Sequence, residues 1–342
     1  MKETSTRRRL GSINCRPRVG SWRCCYDVCG VLIQSNVPLL EARAVRDATP
    51  DLSFEVMDDP DRAGVFEGSK GDASEAQPQS WPVISANTSG YRLSFGDCAE
   101  FFVDARAQQI DCSPGLGVPM ETIRHLFLDH VFPRALSLRG NIVLHASAVS
   151  LDGQSVAFLG PAGEGKSTLA TSFAAAGWRL LADDSLCIRL GTSGEVDGVP
   201  SYPGTRLHPE DVLALLGERV ATVPVAHYAA KLRLGAETPL KFAKQPVPIE
   251  RIYVLNRSHE KTRKRRVRID RPGLSEAFVE LVRHTFQLDL EDSQGHRRYL
   301  RSVAPSVVPR LVRRLTFPTG HRALALVRRA VLEDLQNREE RQ

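Results

Sequence analysis

Gly160-Pro161-Ala162-Gly163-Glu164-Gly165-Lys166-Ser167-Thr168 fits the pattern G-x-x-x-x-G-K-S/T. An apolar run at residues 155–159 precedes it and a helix-forming stretch at residues 166–176 follows. Strand, loop and helix in that order are the setting in which this motif binds phosphate. Gly160, Gly163 and Gly165 permit backbone angles that turn several N–H groups inward. The helix N-terminus adds its own positive end. Lys166 would set a point charge beside the β- and γ-phosphates, and the Ser167 hydroxyl is sized to ligate Mg²⁺. The nine residues therefore predict a nucleotide-binding loop, with ATP and Mg²⁺ as cofactors. The alternative is a Gly-rich strand-to-helix turn that binds nothing.

Asp183-Asp184 ends the next apolar run, 17 positions after Lys166. If the two strands lie side by side and parallel, their C-terminal ends meet where ligands bind in open α/β sheets. One carboxylate could then accept the proton of an attacking hydroxyl and the other could hold Mg²⁺. The alternative is a helix cap or a solvated turn. His145 lies 21 positions before Lys166, on a strand expected over residues 141–149. It is a candidate to contact phosphate or the catalytic carboxylate, against a purely structural role. Arg206 and Lys231 are candidate substrate or phosphate contacts, since cations belong near a transferring phosphoryl group; the alternative for each is an ordinary surface charge. Glu121, His125, Asp129 and His130 read as the surface of a helix.

These residues need elements to hold them. Of the 342 residues, 42% are hydrophobic and 25% charged. That is the balance of a globular chain able to bury a core. No run reaches the ~18 apolar residues that span a bilayer, so no membrane is expected. Arg7, Arg8 and Arg9 lack a following apolar run, so no secretory signal is expected either. Seven scattered cysteines argue for a reducing cytoplasm rather than a disulfide framework. Cys24, Cys25 and Cys29 cluster, but lack a second ligand pair at zinc-site spacing. The net charge of +6 concentrates between Lys261 and Arg268. That run is a solvated hairpin or an electrostatic dock for an acidic peptide or nucleotide. No aromatic platform accompanies it, so nucleic acid is not expected.

Residues 1–25 read as a tail. Residues 26–120 read as a small β-rich module, with strands near 28–33, 53–57, 91–95 and 101–104 and a loop over 64–90. Residues 121–336 read as an α/β catalytic domain with a mixed central sheet and flanking helices. It begins with a helix over 121–138 that Pro133 should bend. Asp152-Gly153 marks a hairpin turn, and Pro209 opens a helix to about Leu216. Amphipathic patterns over 274–286 and 320–336 predict two further helices.

The stretch LHASAVSLDGQSVAFLGPAGEGKSTLATSFAAAGWRLLADD resembles the C-terminal catalytic domain of HPr kinase/phosphorylase. The likeness implies a P-loop kinase core and assigns Asp183 as catalytic acid/base. It places His145 beside Asp183 and the γ-phosphate, and gives Asp184 to the metal site with Ser167. YPGTRLHP, KLRL and PIERIYVL further resemble the HPr-kinase-like group found beside lasso-peptide and other modified-peptide clusters. The similarity runs from about residue 26 to 318. No counterpart of the Gly/Asn/Arg-rich loop with which true HPr kinases contact HPr is seen. The resemblance implies a serine kinase acting on a peptide or small protein, in a family that often forms homo-oligomers. A nucleotide-binding regulator without transfer and a kinase of a small metabolite are the alternatives.

Overall fold

Burial alternates residue by residue along Leu52–Val56 and Ala99–Asp104, the mark of strands with one face on a core. The computed structural model describes residues 23–57, 81–191, 195–258, 266–288 and 311–337. Its first part is one eight-stranded sheet. The strands are β1 (Cys24–Val28), β2 (Val31–Ser35), β3 (Arg43–Val45), β4 (Leu52–Val56), β5 (Val83–Asn87), β6 (Gly90–Ser94), β7 (Ala99–Asp104) and β8 (Gln109–Pro114), in spatial order β3-β1-β2-β4-β8-β7-β6-β5.

Two expectations change here. Strand β1 starts at Cys24, inside the segment read as tail; residues 1–22 lie outside the described residues. The loop expected over 64–90 contains edge strand β5; residues 58–80 lie outside the described residues. Strand β5 is mostly exposed, so its apolar alternation is too weak to read. A local hairpin positions it: Asn87 Oδ1 accepts the N–H groups of Ser89 (2.9 Å) and Gly90 (3.1 Å).

The helix expected over 121–138 is three pieces. Helix α1 (Met120–Leu126) runs into a π-helical turn (Phe127–Val131) and then α2 (Phe132–Leu138). Pro133, in the first turn of α2, has no N–H to continue an α-helical ladder. The chain widens just before it, and the Phe132 N–H donates to the carbonyl of Phe127. These helices pack on the first sheet: Phe54, Phe101, Phe127 and Phe132 are fully buried in one core, with Phe54 and Phe127 stacked.

The second part is α/β. Its strands are β9 (Ile142–Leu144), β10 (Ala146–Leu151), β11 (Gln154–Leu159), β12 (Arg179–Ala182), β13 (Leu186–Leu190), β14 (Val196–Val199), β15 (Gly204–Leu207), β16 (Val223–Pro224), β17 (Leu232–Gly235), β18 (Lys241–Phe242), β19 (Val247–Ser258), β20 (Arg268–Asp270) and β21 (Val312–Pro318). Helices α3 (Lys166–Ala175), α4 (Pro209–Leu216), α5 (Leu274–Arg283) and α6 (Leu324–Gln336) flank them. The main sheet runs β18-β12-β10-β11-β19-β14-β13-β9, with β21 and β20 continuing beside β19. Strands β15, β17 and β16 form a small separate sheet. Buried Leu169 and Phe173 of α3 share a core with Phe158, Tyr253 and, from α6, Val327 and Val331. Among the described residues no helix is long and apolar enough to cross a membrane.

The topology sets the site. Strands β10 and β11 form a hairpin. Its turn residues, Asp152 and Gly153, have φ of 49° and 80°. Both are positive, as a tight hairpin turn demands. Strands β11 and β12 are not neighbours, contrary to expectation: β10 lies between them, antiparallel to both. The ends of β11 and β12 still reach the same sheet edge, where β10 begins. The single strand expected over 141–149 is broken at His145, with β9 on one side and β10 on the other. His145 therefore sits at that edge, and its N–H donates to the carbonyl of His284 (2.6 Å).

Candidate functional site

The chain leaves β11 at Gly160 and enters α3 at Lys166. Gly163 and Gly165 have φ of 85° and 83°. Glycine occupies that region without penalty. Pro161, Ala162 and Gly163 face solvent, and Ser167 is buried in the first turn of α3. Lys166 is buried, and its Nζ donates to the carbonyls of Gly160 (2.7 Å) and Pro161 (3.0 Å). Burial pushes its pKa down, against the pull of Asp184 and Asp183. Glu164 has a buried Oε2 with no hydrogen-bond partner among the described residues. Thr168 faces away from the loop: its Oγ1 donates to Asp211 Oδ2 (3.0 Å), whose other oxygen lies 2.6 Å from His321 Nε2. It braces α3 to α4 and to the turn before α6.

The two aspartates at the end of β12 have opposite surroundings. Asp183 is buried, and both its oxygens are engaged. Oδ1 accepts from Ser147 Oγ (2.6 Å); Oδ2 accepts from Thr205 Oγ1 (3.1 Å) and the Arg206 N–H (2.9 Å). Asp184 has φ of 61°. Such a value is rare outside glycine. The Ser185 N–H closes a three-residue turn onto the carbonyl of Asp183 (2.9 Å). That is the pattern of the strained γ-turn. Asp184 is thereby turned out of the line of its neighbour. Its side chain keeps 21% exposure, and its Oδ2 lies 3.1 Å from Arg206 Nη2. Burial would raise its pKa, but Arg206, His145 and Lys231 outweigh that and hold it well below the usual carboxylate range. Lys231, half-buried just before β17, acts electrostatically on both Asp184 and Lys166.

Arg206 is no surface charge. It is 2% exposed, donates to the Asp183 carbonyl (3.0 Å), and pairs with Asp129. Its register partner across the β15–β17 ladder is another arginine, Arg233. Like charges opposite one another destabilise a sheet unless an anion joins them. Asp129 supplies the anion: it pairs with Arg206, lies 3.8 Å from Arg233 Nη2 and 2.6 Å from His125 Nδ1, and accepts the Tyr202 hydroxyl. Arg233 also pairs with Glu41, which takes Arg124 Nε at 3.0 Å. Asp129 and His125 are thus buried, where a helix surface was expected. The signal was present but faint: Asp129 lies three positions after Leu126, on the flank of the apolar stripe, and the π-turn brings it inward. Ser147, Tyr202, Thr205 and Arg233 fall within the stretches that carry the family resemblance, but the sequence assigns none of them a role.

His145 is pushed down to about 4 from its ordinary 6.5, by burial first; Lys166, His284 and Arg206 add to this and Asp184 opposes it. Its ring packs edge-on against Phe286, centroids 5.7 Å apart. Between pH 6.5 and 4 the unfolded chain holds a proton on this residue that the folded chain refuses. Stability from this residue is therefore complete above about 6.5 and drains away toward 4. His130, held near 3 chiefly by burial, acts in the same sense. We expect the thermal midpoint to fall over this range and His145→Gln to flatten the fall. Parallel slopes for wild type and variant would remove this assignment.

The sheet edge thus gathers the glycine loop, Lys166, His145, Asp183, Asp184, Arg206 and Lys231. Of the basic run expected as a dock, residues 261–265 lie outside the described residues. Cys24, Cys25 and Cys29 form no disulfide among the described residues, and Cys15 lies outside them. Among the described residues no group of three or more His, Cys, Asp or Glu could hold a metal ion. A magnesium ion here would instead take few protein ligands and complete its shell with phosphate and water oxygens. The Ser167 hydroxyl at the helix start and the Asp184 carboxylate are hard oxygen donors of the right kind.

No family model matches the chain and no curated protein matches it. Among solved structures it is similar to the Hpr(Ser) kinase/phosphatase from Coxiella burnetii, at 14% identity and a TM-score of 0.28. That match covers 56% of this chain and 97% of the other. The reading of the site rests on its own geometry.

Proposed function

We propose that the α/β part is a P-loop kinase core of the HPr kinase type. In this reading it transfers the γ-phosphoryl group of ATP to a hydroxyl of a peptide or small protein. One observation carries the proposal: the strained turn presents the Asp184 carboxylate at the edge that also carries the glycine loop and Lys166. Strained backbone outside glycine persists where the surroundings enforce it, commonly at active sites.

In this mechanism the loop N–H groups and the start of α3 hold the phosphates. Lys166 leaves the carbonyls of Gly160 and Pro161 for the phosphate oxygens. Magnesium, when bound with the nucleotide, neutralises phosphate charge, with Ser167 as its protein ligand. Asp184 orients the acceptor hydroxyl and takes its proton as the acceptor O–P bond forms. The bond from the γ-phosphorus to the bridging oxygen breaks, and its electron pair leaves with ADP. Arg206 and Lys231 stabilise the charge on the group in flight. A carboxylate held low is a weak base. Phosphates that draw Arg206, Lys231 and Lys166 toward themselves loosen that hold and raise its pKa. Asp183 takes the positioning role: its carbonyl anchors the turn and its carboxylate ties Ser147 and β15 to it. In this reading the base expected at Asp183 is Asp184, and Asp183 positions it.

The test is incubation of the purified chain with ATP, Mg²⁺ and serine-containing peptides, read by mass spectrometry. Phosphopeptide is expected, and none with Lys166→Ala. ATP·Mg²⁺ at a hundred times its Kd should stabilise wild type by about 2.7 kcal/mol and leave Lys166→Ala unmoved. Nucleotide-dependent stabilisation without transfer to any hydroxyl would favour a regulator that only binds ATP. The low-held Asp184 is the one feature that favours that second reading.

A further inference from the structure

Away from the glycine loop, a cavity of about 1790 Å³ opens between the first sheet and the α/β part. Small-molecule pockets run to roughly 300–1,000 Å³, so this one suits a segment of chain. Its wall includes β18, the edge strand of the main sheet. Among the described residues β18 has a partner on one side only, β12. Its outer N–H and C=O groups can pair with an added strand.

The charges there are unbalanced. Arg179 of β12 and Lys241 of β18 are register partners, and Lys244 follows two residues after β18. All three are exposed on the cavity wall, with no ion pair among the described residues. Another adjacent cationic pair, Arg206 and Arg233, has Asp129 set beside it. The pair at β18 has no such carboxylate. Glu237, four positions before Lys241 and on the same cavity wall, folds back over Gly235, where its Oε2 occupies the space a Cβ would need. The far wall leads to the site: Phe286 lines the cavity and packs on His145, and Arg233 lines it and reaches Asp129.

We propose that the β18 edge binds an acidic peptide segment in extended form, its backbone pairing with Lys241–Phe242 and its carboxylates meeting Arg179, Lys241 and Lys244. The identification of that peptide as the one bearing the acceptor hydroxyl rests on the kinase reading; the binding site does not.

The probe is a fluorescein-labelled synthetic peptide rich in Asp and Glu, compared by anisotropy with neutral and Lys-rich peptides of equal length, using the full chain without ATP. The acidic peptide should bind at least about tenfold more tightly than the neutral one, and salt should weaken it. Lys241→Glu with Lys244→Glu should erase that preference and leave ATP·Mg²⁺ stabilisation unchanged. N-methylation of alternate peptide nitrogens should abolish binding if the backbone pairs. Equal binding of acidic and neutral peptides would overturn the proposal and leave the lysines as guards against edge-to-edge pairing. So would self-association of the chain that blocks the peptide, or binding that survives the charge reversal. Peptide binding without phosphoryl transfer would sink the kinase reading alone; transfer without a preference for acidic peptides would sink this proposal alone.

Discussion

On the kinase reading proposed above, Asp184→Asn should lower phosphoryl transfer by about 10³-fold while ATP affinity stays near wild type. A positioned general base contributes roughly 10²–10⁴-fold, and an amide keeps the shape without accepting the proton. Some folding stability should be lost, since a carboxylate held low by Arg206 stabilises the fold, but less than at Asp183, because the side chain keeps 21% exposure and Asp129 also holds Arg206. Asp183→Asn should behave differently. Its carboxylate accepts from Ser147, Thr205 and the Arg206 N–H, all within the interior. An amide there turns an NH₂ toward donors, a loss of about 3 kcal/mol. Urea unfolding with an unchanged m-value measures that loss, and single-turnover kinetics measure the chemistry. An inactive but stable Asp183→Asn beside an active Asp184→Asn would reverse the two roles.

Asp129→Asn should be the most destabilising polar substitution in the chain, by roughly 3–5 kcal/mol. It removes the one carboxylate joining Arg206 to Arg233, and it also meets Tyr202 and His125. Arg206 would keep Asp184 and Arg233 would keep Glu41, but the two guanidinium groups would face each other across β15 and β17 with no carboxylate between them, at a depth where charge is costly. Domains carry about 5–15 kcal/mol in all, so the variant stands near the folding threshold. Two further variants keep the expectation open to test. Tyr202→Phe removes one hydrogen bond and should cost about 1 kcal/mol. Adding Arg233→Gln to Asp129→Asn should recover part of the loss, because it removes one of the two facing charges. A double variant no more stable than Asp129→Asn alone would show that the pair is not held by this carboxylate. Loss of Asp129 also frees Arg206 from its place beside Asp184, so any folded fraction should transfer phosphate slowly.

The chain's own order of residues determined the glycine loop between β11 and α3, because such a turn is built from contiguous backbone. Gly160 to Thr168 fix strand, turn and helix start with no help from distant residues. The β10–β11 hairpin, the stop of α3 before Gly177 and the start of α4 at Pro209 were legible for the same reason: each depends on local φ preferences. The candidacy of Asp183, Asp184, His145, Arg206 and Lys231 was legible as residue types at suggestive spacings. Which of them stands open at the sheet edge was not. That depended on a γ-turn after β12, on β10 lying between β11 and β12, and on the break at His145. Asp129 was hidden further, because the widened turn before Pro133 changes which way a carboxylate points. Its partner Tyr202 lies 73 residues further along the chain. Tertiary structure alone decided those matters: pairing of strands and burial of charge are settled by contacts between distant segments, which no local pattern encodes.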